Sequence, residues 1–78
     1  SMAIDEEFNK WGLTESEKEV GLLILKGFST KKIAEILGTS DKTTRHHCSS
    51  IYRKSELSGR TELSAYFLED LLVSPLNH

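Results

Sequence analysis

The sequence predicts an all-α fold: a small bundle of four core helices, preceded by a short lead-in helix and containing a helix-turn-helix. Three observations carry this. Apolar residues recur at spacings of three and four along most of the chain, the period of a helix with one buried face. Ser or Thr precedes several of these stretches and Gly follows them, the usual start and stop signals of helices. No alternating run joined by a tight two-residue turn suggests a β-hairpin. At 78 residues, 37% hydrophobic and 28% charged, the chain suits one domain with a compact core.

Ser1-Met2 reads as a cloning scar and is left out of the fold prediction, so residues 1–12 form a scar and lead-in helix. "DEEFNKWG" predicts that short helix, with Phe8 and Trp11 on one face as a lid and Gly12 as its stop. The domain proper spans 13–73. "LTESEKEVGLLILKG" opens with a capping box, in which Thr14 accepts from the Glu17 amide and Glu17 reaches back to the Thr14 amide. Val20, Leu23 and Ile24 form its buried stripe, Lys26 lies in its last turn and Gly27 ends it. The hydrophobic-staple partner of Leu13 would be Lys18, so Leu13 is expected in the core instead.

Ser29 or Thr30 caps "TKKIAEIL", with Ile33, Ala34 and Leu37 inward and Lys31, Lys32 and Glu35 outward. Gly38 suits a left-handed position, and Ser40 at once caps another helix running to about Ser55. A link as short as Gly38-Thr39-Ser40 forces the two helices to cross steeply, as in a helix-turn-helix. Ser58-Gly59 breaks the chain again. "RTELSAYFLEDLL" predicts a last helix carrying Leu63, Tyr66, Phe67, Leu71 and Leu72, with Pro75 beyond it and 74–78 as a tail.

Charge is unevenly spread. The net value is −2, yet residues 1–28 sum to −3, residues 29–60 to +4 and residues 61–78 to −3. A basic middle between acidic ends fits a domain with one anion-facing side; the plainer alternative is a solvated face with local fluctuation. No apolar run approaches the roughly 18 residues that cross a bilayer. One cysteine allows no internal disulfide, in keeping with a reducing compartment.

The 41–55 helix separates its residues by face. At about 100° per residue, Arg45, His46, Ser49 and Arg53 fall within roughly 60° of Lys42. Thr44, Ile51 and Ser55 lie opposite, His47 and Cys48 sit at the two edges of that inner face, and Tyr52 is on a flank. His46, His47 and Cys48 therefore leave the helix in three directions and cannot converge on one metal ion. Cys48 reads as a small buried apolar residue and His47 as a packed histidine. His46 either contacts nucleic acid or faces water. Nothing joins the serines and threonines to an acid–histidine pair, and the five glycines are too scattered to cradle a phosphate. These patterns predict no enzyme, no metal, no cofactor and no small-molecule ligand.

The string "LT..E.EV..L...G.S.K.IA..LG.S..T...H...IYRK..L..R.EL", ungapped from Leu13 to Leu63, resembles the LuxR-type helix-turn-helix domain of bacterial regulators; with the last helix the likeness extends to about Leu72. The resemblance implies that 30–37 is the scaffold helix and 41–55 the recognition helix. It implies base contacts at Arg45, His46 and Ser49, beside Lys42 on the same face, and phosphate contacts at Lys31, Ser40, Thr43, Arg53 and Lys54. It also implies that the last helix, with Leu63, Tyr66, Phe67 and Leu71, makes a dimer contact. The chain departs from the family at Thr44, usually Val; at Ser55, usually Leu; at Gly21, commonly Leu; and at Ser49, often basic.

The expected function is sequence-specific binding of double-stranded DNA as the C-terminal output domain of a bacterial transcription regulator, as a homodimer on DNA, with RNA polymerase as a further partner. The expected location is the bacterial cytoplasm, with tethering to the inner membrane by a segment outside this chain as an extension of that reading. The alternative is a protein-interaction module that docks on polymerase or on a partner regulator.

Overall fold

The computed structural model describes residues 2–73, which form α1 (Met2–Lys10), α2 (Glu15–Leu25), α3 (Thr30–Leu37), α4 (Asp41–Ser55) and α5 (Arg60–Val73). All five expected helices are present. Met2, set aside as part of a scar, begins α1, and the expected 74–78 tail and Pro75 lie outside the described residues.

Local signals set the helix starts. The Thr14 hydroxyl accepts from the Glu17 amide at 3.2 Å, and the Thr14 amide donates to Glu17 Oε1 at 2.9 Å, completing the capping box. Ser29, not Thr30, caps α3 by accepting from the Lys32 amide at 3.1 Å. Ser40 caps α4 by accepting from the Thr43 amide at 3.0 Å.

The stops of α3 and α4 share one device. At the end of α3, Gly38 adopts φ +68°, its amide donates to the Glu35 carbonyl and the Thr39 amide donates to the Ala34 carbonyl. Two otherwise orphaned carbonyls are satisfied, and the chain turns sharply enough for α4 to begin at Asp41. The same reversal ends α4, but there the left-handed residue is Glu56 at φ 62°, with the Leu57 amide donating to the Tyr52 carbonyl at 3.2 Å. An L-residue with a side chain adopts this conformation at some cost, yet α4 ends at Ser55, as the sequence predicts.

The core consists of Phe8, Leu13, Val20, Ile24, Ile33, Cys48, Ile51 and Leu63, and α4 packs chiefly on α2 and α3. Phe8 is more than a lid: it is 2% exposed and belongs to the core, with Trp11 partly buried beside it. Its ring contacts Trp11 and Phe67, and Trp11 in turn meets Tyr66 edge-on at 5.3 Å. Thr44, fully buried where an apolar residue is usual, donates its hydroxyl to the Ser40 carbonyl at 3.1 Å and leaves no polar group unpaired. Ser55 donates to the Tyr52 carbonyl and accepts from the Leu57 amide, both at 3.3 Å, so it helps close α4 rather than fill the core.

Candidate nucleic-acid interface

The α4 helix stands with Thr44, Cys48, Ser50 and Ile51 buried and Lys42, Thr43, Arg45, His46, Ser49 and Arg53 exposed. Its sequence makes this division: the small and apolar residues recur every three or four positions and seat on α2 and α3, which turns the cations outward. His47 is half-buried and Cys48 is a buried free thiol, whose proton burial holds more tightly than usual. Among the described residues no three His, Cys, Asp or Glu side chains gather as metal ligands would.

The fold brings five of the expected residues into one arc: Lys42, Arg45, His46, Ser49 and Arg53. The Ser40 hydroxyl donates to Thr43 Oγ1 at 2.9 Å, which orders the first turn of α4 beside that arc. Lys31 is exposed on α3, while the neighbouring Lys32 pairs with Glu35 at 3.6 Å. Arg45 pairs with Asp41 one turn earlier, an i, i+4 contact legible in the sequence but missed there.

Lys54 is placed differently. Its ammonium lies 2.8 Å from Glu17 Oε1 and 3.4 Å from the Gly12 carbonyl, turned toward α2. Glu17 is only 5% exposed, and Ser50 donates to its other oxygen at 2.6 Å. Burial pushes the Glu17 carboxyl up, but the Lys54 ammonium, the Ser50 hydroxyl and the Thr14 amide outweigh it and hold the group at about 2. Sequence reasoning missed this cluster: Glu17 was already explained by its cap, and its partners lie 33 and 37 residues away.

The expected dimer residues divide as well. Leu63 has no exposed surface and is a core residue, so it is corrected as a dimer contact: a partner cannot reach it. Phe67 packs on Phe8 and Trp11, and Tyr66 donates its hydroxyl to Glu7 at 2.6 Å while keeping one edge exposed. The Leu71 side chain lies outside the described residues. The surface of α5 instead shows Thr61, Ala65, Leu68 and Leu72, spaced to share one stripe, with Leu68 and Leu72 more than half exposed.

Among the described residues no helix is long and apolar enough to cross a membrane. No solved structure gives a significant match to the chain. Among curated proteins, one assigned as an HTH-type transcriptional regulator from the exeN 3′ region of Aeromonas salmonicida is 38% identical over 64 residues, covering 82% of this chain and 33% of that protein. The response regulator protein VraR of Staphylococcus aureus is 39% identical over 61 residues, covering 78% of this chain and 29% of VraR, and VraR of Staphylococcus epidermidis matches to the same extent. The chain thus spans about a third of the length of these relatives. The family model described as bacterial regulatory proteins, luxR family, matches residues 12–67, which include all of α2, α3 and α4. The chain belongs to that family, as its helix-turn-helix DNA-binding domain.

Proposed function

We propose that α4 enters the major groove of duplex DNA and that Arg45 makes the principal base contact, to a guanine edge. The observation that carries this is the exposed arc of Lys42, Arg45, His46, Ser49 and Arg53, backed by the buried Thr44 and Ile51. A guanidinium matches the two acceptors of guanine, and the Asp41 pair narrows where Arg45 can point. Ser49 is small and lets the helix approach closely; Lys42 and His46 reach neighbouring base edges. Lys31, Arg53, Ser40 and Thr43 face the phosphates. The Ser40 hydroxyl is already donated to Thr43, so Thr43 keeps its own proton to give outward. Lys54 leaves the phosphate set, because its ammonium serves Glu17.

A mobility-shift titration at two salt concentrations tests these roles. Arg45→Ala should cost about 1–3 kcal/mol on a selected site and little on mixed sequence. Lys31→Ala should weaken all sequences alike and lower the salt slope by about one. Absence of salt-dependent binding by the unaltered chain would refute the reading.

The exposed stripe of Thr61, Ala65, Leu68 and Leu72 supports pairing of two copies through α5 on DNA, with half-sites about one helical turn apart. Leu68→Glu should then abolish cooperative binding to a two-site duplex while leaving single-site affinity within about twofold, since an exposed residue carries little of the fold. Equal cooperativity in both proteins would remove α5 from the contact. The same stripe supports a second reading, docking of polymerase or another regulator; binding of such a protein that survives high salt and is lost with Leu68→Glu distinguishes it. Since the chain spans about a third of its relatives, we read it as the output domain of a longer regulator acting where bacterial DNA lies, in the cytoplasm, with or without a membrane tether elsewhere in that regulator.

A further inference from the structure

Arg53 is exposed, yet it is not a free cation. Its Nη2 donates to Ser50 Oγ at 3.1 Å, and Ser50 Oγ donates to Glu17 Oε2 at 2.6 Å. Glu17 lies on α2 and is 5% exposed; Ser50 is 6% exposed on the inner side of α4. Chemistry fixes the direction of each bond. A guanidinium only donates and an ionised carboxylate only accepts, so the hydroxyl between them must accept from one and give to the other. A directed chain therefore runs from the outer arc of α4 into the core.

Two features separate this chain from ordinary support of the fold. Thr14 and Lys54 already satisfy Glu17 Oε1, and Lys54 balances its charge, so the Arg53 bond is not needed to neutralise the buried acid. Because that acid is balanced, Arg53 also keeps its full charge and its remaining N–H donors for an outer partner. An untethered arginine on a helix surface samples many rotamers and loses that freedom when it binds phosphate.

We propose that Glu17 and Ser50 are positioning residues for DNA binding: the buried carboxylate, acting through the Ser50 hydroxyl, presets the Arg53 guanidinium toward the phosphate backbone. This rests on the DNA-contacting role of α4 proposed above. Ser50→Ala removes the link with little change in volume, and Glu17→Gln replaces the charged end of the chain.

The experiment titrates a mixed-sequence duplex of about 20 base pairs, roughly two helical turns, at three salt concentrations. It compares the unaltered chain with Ser50→Ala, Arg53→Ala and their combination, below the melting temperature of each protein. Ser50→Ala should weaken binding roughly three- to tenfold and lower the salt slope toward that of Arg53→Ala. In the Arg53→Ala background it should have no further effect. Glu17→Gln should lower affinity less than Ser50→Ala does, because it also releases the Lys54 ammonium from its counter-charge. An equal loss in both backgrounds, or an unchanged slope with Ser50→Ala, overturns the positioning role while leaving DNA binding intact. Failure of the unaltered chain to bind overturns both the role and the reading beneath it.

Discussion

Glu17→Gln should remove the steepest part of the acid unfolding of this domain. The Glu17 carboxyl titrates at about 2 in the folded state against an ordinary value of 4.5. A folded value depressed in this way contributes stability that is fully present above about pH 4.5 and is lost as pH falls toward 2. A difference of that size is worth on the order of 3 kcal/mol, a large share of the stability of a domain this small. Urea midpoints at pH 7, 4.5 and 2.5 check it. The unaltered chain should lose about 2 kcal/mol more stability than Glu17→Gln across the lower interval, and the remaining gap should close only below pH 2. A gap that stays constant with pH would mean that Glu17 is not ionised against Lys54 and Ser50. Lys54→Met should destabilise at neutral pH by a similar or larger amount, because it leaves a buried carboxylate without its counter-charge. It should change the salt dependence of DNA binding far less than Arg53→Ala does.

Lys54 shows where the sequence stops being informative. The helices were legible because their signals are local: a capping threonine or serine, a glycine at the reversal, and an apolar residue every three or four positions. The outer arc of α4 was legible for the same reason, since a helix fixes the angle between its own residues. What a side chain meets on another helix has no local signature. Within "IYRKSEL" the helix period already sets Lys54 about 100° round from Arg53, off the outer arc, but that it meets Glu17 follows only from the seating of α4 on α2. The last helix failed differently. Leu63, Phe67, Leu68 and Leu72 spread apolar residues over more than one face of α5, so period alone does not say which face is inside. The aromatic cluster with α1 decides it, claiming Phe67 and half of Tyr66 and leaving Leu68 and Leu72 to solvent.

That cluster depends on one glycine, and replacing it should show how. A Cβ built on Gly21 would lie 3.0 Å from Phe8 Cζ and 3.2 Å from Cε2, tighter than side chains normally pack. A leucine at this position of α2 therefore requires the Phe8 ring to move. Gly21→Leu should gain roughly 0.8 kcal/mol of helix propensity but forfeit the burial of Phe8, worth about 1.5–3 kcal/mol. The net expectation is a loss of about 1–2 kcal/mol with α1 undocked. Trp11 is the single tryptophan and packs against Phe8, Tyr66 and Phe67, so its emission should shift to the red. Phe8→Ala alone should cost about 3–5 kcal/mol by opening a cavity. Adding Gly21→Leu to Phe8→Ala should recover part of that loss, because the leucine fills the space the ring has left. A strongly favourable coupling in this cycle would establish that Phe8 and Gly21 are one packing feature shared between two helices. Additive losses, or a Gly21→Leu protein whose tryptophan emission is unchanged, would show that the core yields at this point and that α1 is held mainly by the Tyr66–Glu7 hydrogen bond and the outer aromatic contacts.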